Sequence, residues 1–226
     1  EHLWITSKYL KNLKGVDSLK FVGGSVYLIT DSLENLEGLG QLEHAVNLTL
    51  SDKNLSQTST KGIENLRTVQ SIDIYAPHLV SLEGFIGLDS VGATLRLNGA
   101  AIHDLSGLGN LRTIETFGIY LMNLPHLQSL AGLDKLDNSG LFIENCDSLV
   151  DLQGMPALKT AYFINLEGNE RLESLQGLEA LERIEWFAPG GLVLKNNPKL
   201  TDLSALDRPV PMPFLQIENN AGLSIC

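Results

Sequence analysis

The chain has 226 residues, a formal net charge of -11 and a pI near 4.8. That length is enough for a full hydrophobic core. The acidic balance excludes nucleic acid as a partner, because phosphate binding needs clustered Lys and Arg. No apolar run reaches about 18 residues, so the sequence contains no membrane span.

Leucine accounts for 43 residues, a bias that points to internal repeats. Apolar-x-apolar triplets recur in chain order. They are Leu3-Trp4-Ile5, Val26-Tyr27-Leu28, Leu48-Thr49-Leu50, Ile72-Asp73-Ile74 and Leu95-Arg96-Leu97. Then come Ile119-Tyr120-Leu121, Leu141-Phe142-Ile143, Ile164-Asn165-Leu166, Leu192-Val193-Leu194 and Leu215-Gln216-Ile217. Successive spacings are 23, 22, 24, 23, 24, 22, 23, 28 and 23 residues. Each triplet alternates as a strand with one buried face does.

A turn follows each triplet. It reads "NCDS" at 145–148, "GNER" at 168–171, "NNPK" at 196–199 and "NNAG" at 219–222. Asn and Gly suit such corners because they tolerate left-handed backbone angles. Beyond the turn, apolar residues fall three apart, as in Leu105, Leu108, Leu111 and Ile114, or Leu175, Leu178, Leu181 and Ile184. An α-helix would rotate that stripe by about 60° per step. A path with about three residues per turn keeps all four residues inside. A Gly precedes the second member in most repeats, for example Gly38, Gly132 and Gly177, and marks a corner.

These elements predict an all-β solenoid of about ten rungs, each 22–28 residues long. At roughly 4.8 Å per rung the stack is roughly 43 Å long. No composition break divides residues 1–226, so one domain is expected. The chain begins at Glu1 rather than Met, as a processed product or a piece excised from a larger protein would. With almost no chain before Leu3 to cover the first rung, self-association through terminal rungs is expected. "RPVPMPF", Arg208 to Phe214, replaces the last leucine steps, and its prolines cannot sustain a ladder.

The stretches "LESLQGLEALERIEWFAPGGLVLKNNPKL" and "LSGLGNLRTIETFGIYLMNLPHL" resemble the receptor L-domain family, in its pattern Leu-x-x-Leu-x-Gly-Leu-x-x-Leu-x-x-Ile, then Leu-x-Ile-x-x-Asn. Insulin- and EGF-receptor ligand-binding domains and microbial cell-surface proteins share that pattern. The resemblance implies a right-handed, leucine-rich β-helix, an extracellular or cell-envelope setting and a recognition role. It carries over no catalytic residue. The chain departs from the animal receptors in lacking a cysteine-rich companion, and it looks nearer the microbial members. Internalin-type leucine-rich repeats, with a shorter period, fit less well.

Motifs for chemistry are sparse. His2, His44, His78, His103 and His126 form no His-x-His or His-Glu-x-x-His pair, so neither metal nor cofactor is expected. No nucleophile elbow or phosphate loop occurs. Cys146 and Cys226 lie three rungs apart, roughly 14 Å, which is beyond the reach of a disulfide. Asn47-Leu48-Thr49 and Asn54-Leu55-Ser56 are formal glycosylation sequons.

The middle residue of each triplet faces outward. Asp73 and Arg96 are expected to form a cross-rung ion pair in that row, and one carboxylate is too little for the paired acid chemistry of β-helix polysaccharide enzymes. The aromatic members are natural contacts for a protein or glycan. They are Trp4, Tyr27, Tyr120 and Phe142, with Tyr75 and Phe163 at flanking outward positions. The longest repeat adds Trp186 and Phe187 in a bulge at 185–191, where solenoid insertions often carry function. The sequence therefore favours a non-enzymatic recognition module. A structural spacer or adhesin stalk is the alternative, and a carbohydrate-active enzyme is the third reading.

Overall fold

Every triplet builds a strand, and the triplet strands pair in parallel from each rung to the next. A computed structural model describes residues 1–52, 59–185 and 190–223. The first strands are β1 (Leu3–Ser7), β2 (Phe21–Thr30), β3 (His44–Asp52), β4 (Thr68–Tyr75) and β5 (Ser90–Asn98). The sixth rung is split into β6 (Thr113–Ile114) and β7 (Gly118–Met122). Next come β8 (Asn138–Glu144) and β9 (Thr160–Glu167), then β10 (Arg183–Ile184) and β11 (Gly191–Lys195), which share a rung, and last β12 (Leu215–Glu218). Among the described residues these form one sheet whose order follows the chain. The chain is thus a parallel β-solenoid, as its period requires.

The inward leucines and isoleucines make one continuous core from Leu13 to Val210. Burying each such side chain is worth about 1.5–3 kcal/mol, and almost all of them are fully covered. The three-residue spacing is resolved as a chain of tight turns. Leu39 N–H donates to Leu36 O at 3.0 Å and Leu42 N–H to Leu39 O at 2.8 Å. Leu105, Leu108 and Leu111 repeat this at 2.8 Å each. Among the described residues, three short 3-10 helices, Glu83–Gly87, Ser106–Leu108 and Ser204–Leu206, are regular forms of the same path.

The glycine corner answers two constraints at once. Gly132 has φ of 108°, and a Cβ there would lie 2.0 Å from Leu105 O on the preceding rung. The acid two residues further on also belongs to the corner. Asp17, Glu64, Asp134 and Glu179 accept from the N–H groups of Gly15, Gly62, Gly132 and Gly177 at 2.7–3.2 Å. Part of the negative charge is therefore structural.

The other corner separates adjacent residues into different roles. Gly99, Asn123, Asn145, Gly168, Asn196 and Asn219 all have φ between 53° and 77°. Asn carries left-handed angles at lower cost than other non-glycine residues. The residue after each one turns inward, giving Ala100, Leu124, Cys146, Asn169, Asn197 and Asn220, all buried. The three asparagines form a ladder. Asn197 Nδ2 donates to Leu166 O at 2.9 Å, and Asn197 Oδ1 accepts from Asn169 N–H at 3.1 Å. Asn220 repeats both bonds one rung on, at 2.8 and 2.9 Å. At the other end of the ladder, Asn169 Oδ1 accepts from Cys146 N–H at 3.0 Å. The Cys146 thiol is free, and burial pushes it up to about 12. Cys226 and Asn54 lie outside the described residues. Asn47 lies within β3, and its amide donates to Ser25 Oγ at 3.0 Å.

Asn197→Ala would leave Asn169 N–H without its partner inside the core and remove the amide bond to Leu166 O, at a cost of about 1–3 kcal/mol. Pro198→Ala, at the exposed neighbour, should change stability by less than about 0.5 kcal/mol. Urea unfolding of both variants checks this, and equal effects would contradict the ladder.

Candidate functional site

Register places the outward row as one line across the sheet. Trp4 pairs Tyr27, Tyr27 pairs Thr49, Thr49 pairs Asp73, and Asp73 pairs Arg96. The line continues through Tyr120, Phe142, Asn165, Val193 and Gln216 without a slip. All but Trp4, which is exposed, are partly covered.

Among the described residues, the aromatic members of the row fall into two groups rather than one surface. Trp4 and Tyr27 contact with ring centroids 4.9 Å apart, beside His2. Four rungs on, roughly 19 Å away, Tyr120 stacks on Phe142 at 5.4 Å and meets Phe163 at 5.9 Å. Between the groups, Arg96 Nη1 donates to Asp73 Oδ1 at 2.6 Å. Being partly exposed, that pair contributes about 0–1 kcal/mol. The Arg96 guanidinium also lies 5.4 Å from the Tyr120 ring centre, a cation–π contact. Tyr75 is exposed beside Arg96, outside the second cluster. Trp186 and Phe187 lie outside the described residues.

Phe163 is not an exposed contact: it is only 7% accessible. The register shifts between Ser139 and Leu141, and Gly140 leaves the space its ring occupies. A Cβ at Gly140 would stand 2.4 Å from Phe163 Cε1. Phe163 is thus an anchor for Tyr120.

The second cluster opens into a cavity of about 560 Å³. Tyr120, Phe142, Asn165, Val193 and Gln216 line it from the outward row, together with Phe163 and Lys195. Gly190, Pro213 and Phe214, from the segments entering the last two rungs, also belong to the described lining. Pro213 and Phe214 belong to the proline-rich stretch that sequence reading treats only as a terminator. Alternation could not reveal them, because their position comes from the path taken into β12. Gly191 shows how close that path runs, since a Cβ there would meet Phe214 O at 2.3 Å.

Polar groups in this cleft are few. Asn165 Oδ1 is sealed from solvent and accepts no hydrogen bond. Lys195 stands 3.6 Å from Glu218, whose carboxylate also accepts from Gln216 Nε2 at 2.6 Å. The Gln216 bond and Lys195 hold the Glu218 carboxyl below its ordinary range. Among the described lining residues there is no carboxylate, histidine, serine or cysteine. Elsewhere, His103 and His126 stack at 5.8 Å on neighbouring rungs. Among the described residues no group of three or more His, Cys, Asp or Glu gathers as a metal site. No described helix is long and apolar enough to cross a membrane.

No family model matches the chain, and no curated protein matches it.

Burial raises the Tyr120 phenol above its ordinary value of 10.0, against an opposing pull from Arg96. The folded state therefore holds that proton more tightly than the unfolded chain. Stability from this group is full below the ordinary value and falls as pH rises through the folded-state value. Tyr120→Phe lacks the ionisation, so its stability relative to wild type should improve above pH about 10. Denaturant unfolding between neutral and alkaline pH checks this, and parallel profiles would contradict it.

Proposed function

We propose that this chain is a non-enzymatic recognition module that binds a protein or glycan ligand through its outward strand face. The observation that carries the reading is the cleft of about 560 Å³ walled by Tyr120, Phe142 and Phe214. Ligand sites are typically concave, about 300–1,000 Å³, mostly apolar and furnished with few polar groups. The repeat pattern supports placing the chain with the receptor L-domains, and with them an extracellular or cell-envelope setting.

A structural spacer or stalk is the second reading. It is favoured by the rest of the row, where Asp73 with Arg96 and Trp4 with Tyr27 satisfy one another. An enzymatic reading finds no acid–base pair in the described lining of the cleft.

Glycan-array and protein pull-down binding should be compared for wild type and a Tyr120→Ala/Phe142→Ala variant. The recognition reading expects specific binding by wild type and a loss of more than about tenfold in the variant, the size of one lost contact of 1.4 kcal/mol. Binding of neither class, or binding indifferent to the variant, favours the spacer.

A further inference from the structure

We infer that the Tyr120–Phe142–Phe214 cleft takes an uncharged sugar, with a pyranose ring lying against the aromatic surface and a hydroxyl meeting Asn165. This assignment rests on the recognition role just proposed and names its ligand class.

The occupant follows from three features of the cleft. Its size is the first. A cavity of about 560 Å³ suits a molecule of a few rings, whereas a stable protein partner needs about 800 Å² of surface on each side. The second is the combination of flat apolar rings with one unanswered amide. Tyr120 stacks on Phe142 with 23° between their planes, and Arg96 lies over Tyr120 from the preceding rung, so the ring face left toward Asn165 is that of Phe142. A pyranose offers the complement, with C–H groups on its faces and hydroxyls around its edge. Asn165 sits in register between Phe142 and Val193. Its Oδ1 is sealed beneath the row and takes no hydrogen bond, which leaves Nδ2 as the amide group a hydroxyl can reach. The Nδ2 group carries two donors, so it can donate to a hydroxyl oxygen.

The third feature is charge. Lys195 is the one charged residue in the described lining, and Glu218 already stands 3.6 Å from it. The lining therefore offers no free cation to hold a carboxylate, sulfate or phosphate. A neutral hexose or N-acetylhexosamine fits, and an acidic sugar does not.

The test starts with an array of neutral oligosaccharides beside sialylated and sulfated ones, followed by calorimetric titration of the best neutral hit. Phe142→Leu keeps apolar bulk without the flat ring, and Asn165→Leu keeps shape without the amide. Each should weaken binding roughly tenfold, with melting temperatures reported alongside. Thr49→Ala, on the same row but away from the cleft, should bind as wild type does. Saturation-transfer NMR on the unaltered protein gives a reading that no folding defect can confuse: irradiating aromatic protons should transfer most strongly to the sugar's ring C–H protons. Binding to acidic glycans alone, or neutral binding that neither substitution changes, overturns the assignment. A silent array with a protein ligand lost in the Tyr120/Phe142 variant overturns the sugar and leaves the recognition role standing. Silence with both ligand classes overturns both.

Discussion

A solenoid rung has no partner but its neighbours. Each strand's N–H and C=O groups can be satisfied only by the strands a turn before and a turn after, about 4.8 Å away. Every position of the coil must therefore repeat, because a corner that wandered would unpair the next rung. That requirement explains why left-handed Asn or Gly recurs from Gly99 to Asn219. It explains why glycine stands where Gly132 passes over Leu105 O. It also explains how leucines three apart can all face inward, since the chain closes a turn every three residues.

The same constraint leaves the outward row free. Nothing in the core decides whether position 142 is Phe or position 165 is Asn; register decides only where they stand. The buried asparagine ladder nevertheless bears on the cleft. Asn169 Nδ2 donates to Ile143 O, Asn197 Nδ2 to Leu166 O and Asn220 Nδ2 to Leu194 O. Those carbonyls lie next to Phe142, Asn165 and Val193, so the ladder pins the strands that carry the cleft. A site on a braced sheet keeps its geometry better than one on a loop.

Most of the fold could be read before any coordinates, because a strand triplet at a near-constant period has few other solutions. The outward row from Trp4 to Gln216 and the Asp73–Arg96 pair followed directly from alternation. What escaped were features set between rungs. Phe163 reads as an outward aromatic, but Gly140 and a register shift let its ring sink beneath Tyr120. Asn196 and Asn197 look alike in sequence, yet one takes the left-handed angle and the other enters the core. The recurrence of a second polar residue at Asn169, Asn197 and Asn220 was the available signal. Phe214 gave none, since its place in the cleft depends on the path into β12.

The claim on which the account rests is that the outward row is one uninterrupted line. Spin labels at Thr49→Cys and Gln216→Cys, in a Cys226→Ser background, measure it directly by pulsed dipolar spectroscopy. Seven rungs separate these positions, so the account predicts a single narrow distance distribution centred near 34 Å. A broad distribution, or one displaced by more than about one rung spacing of 4.8 Å, would contradict it.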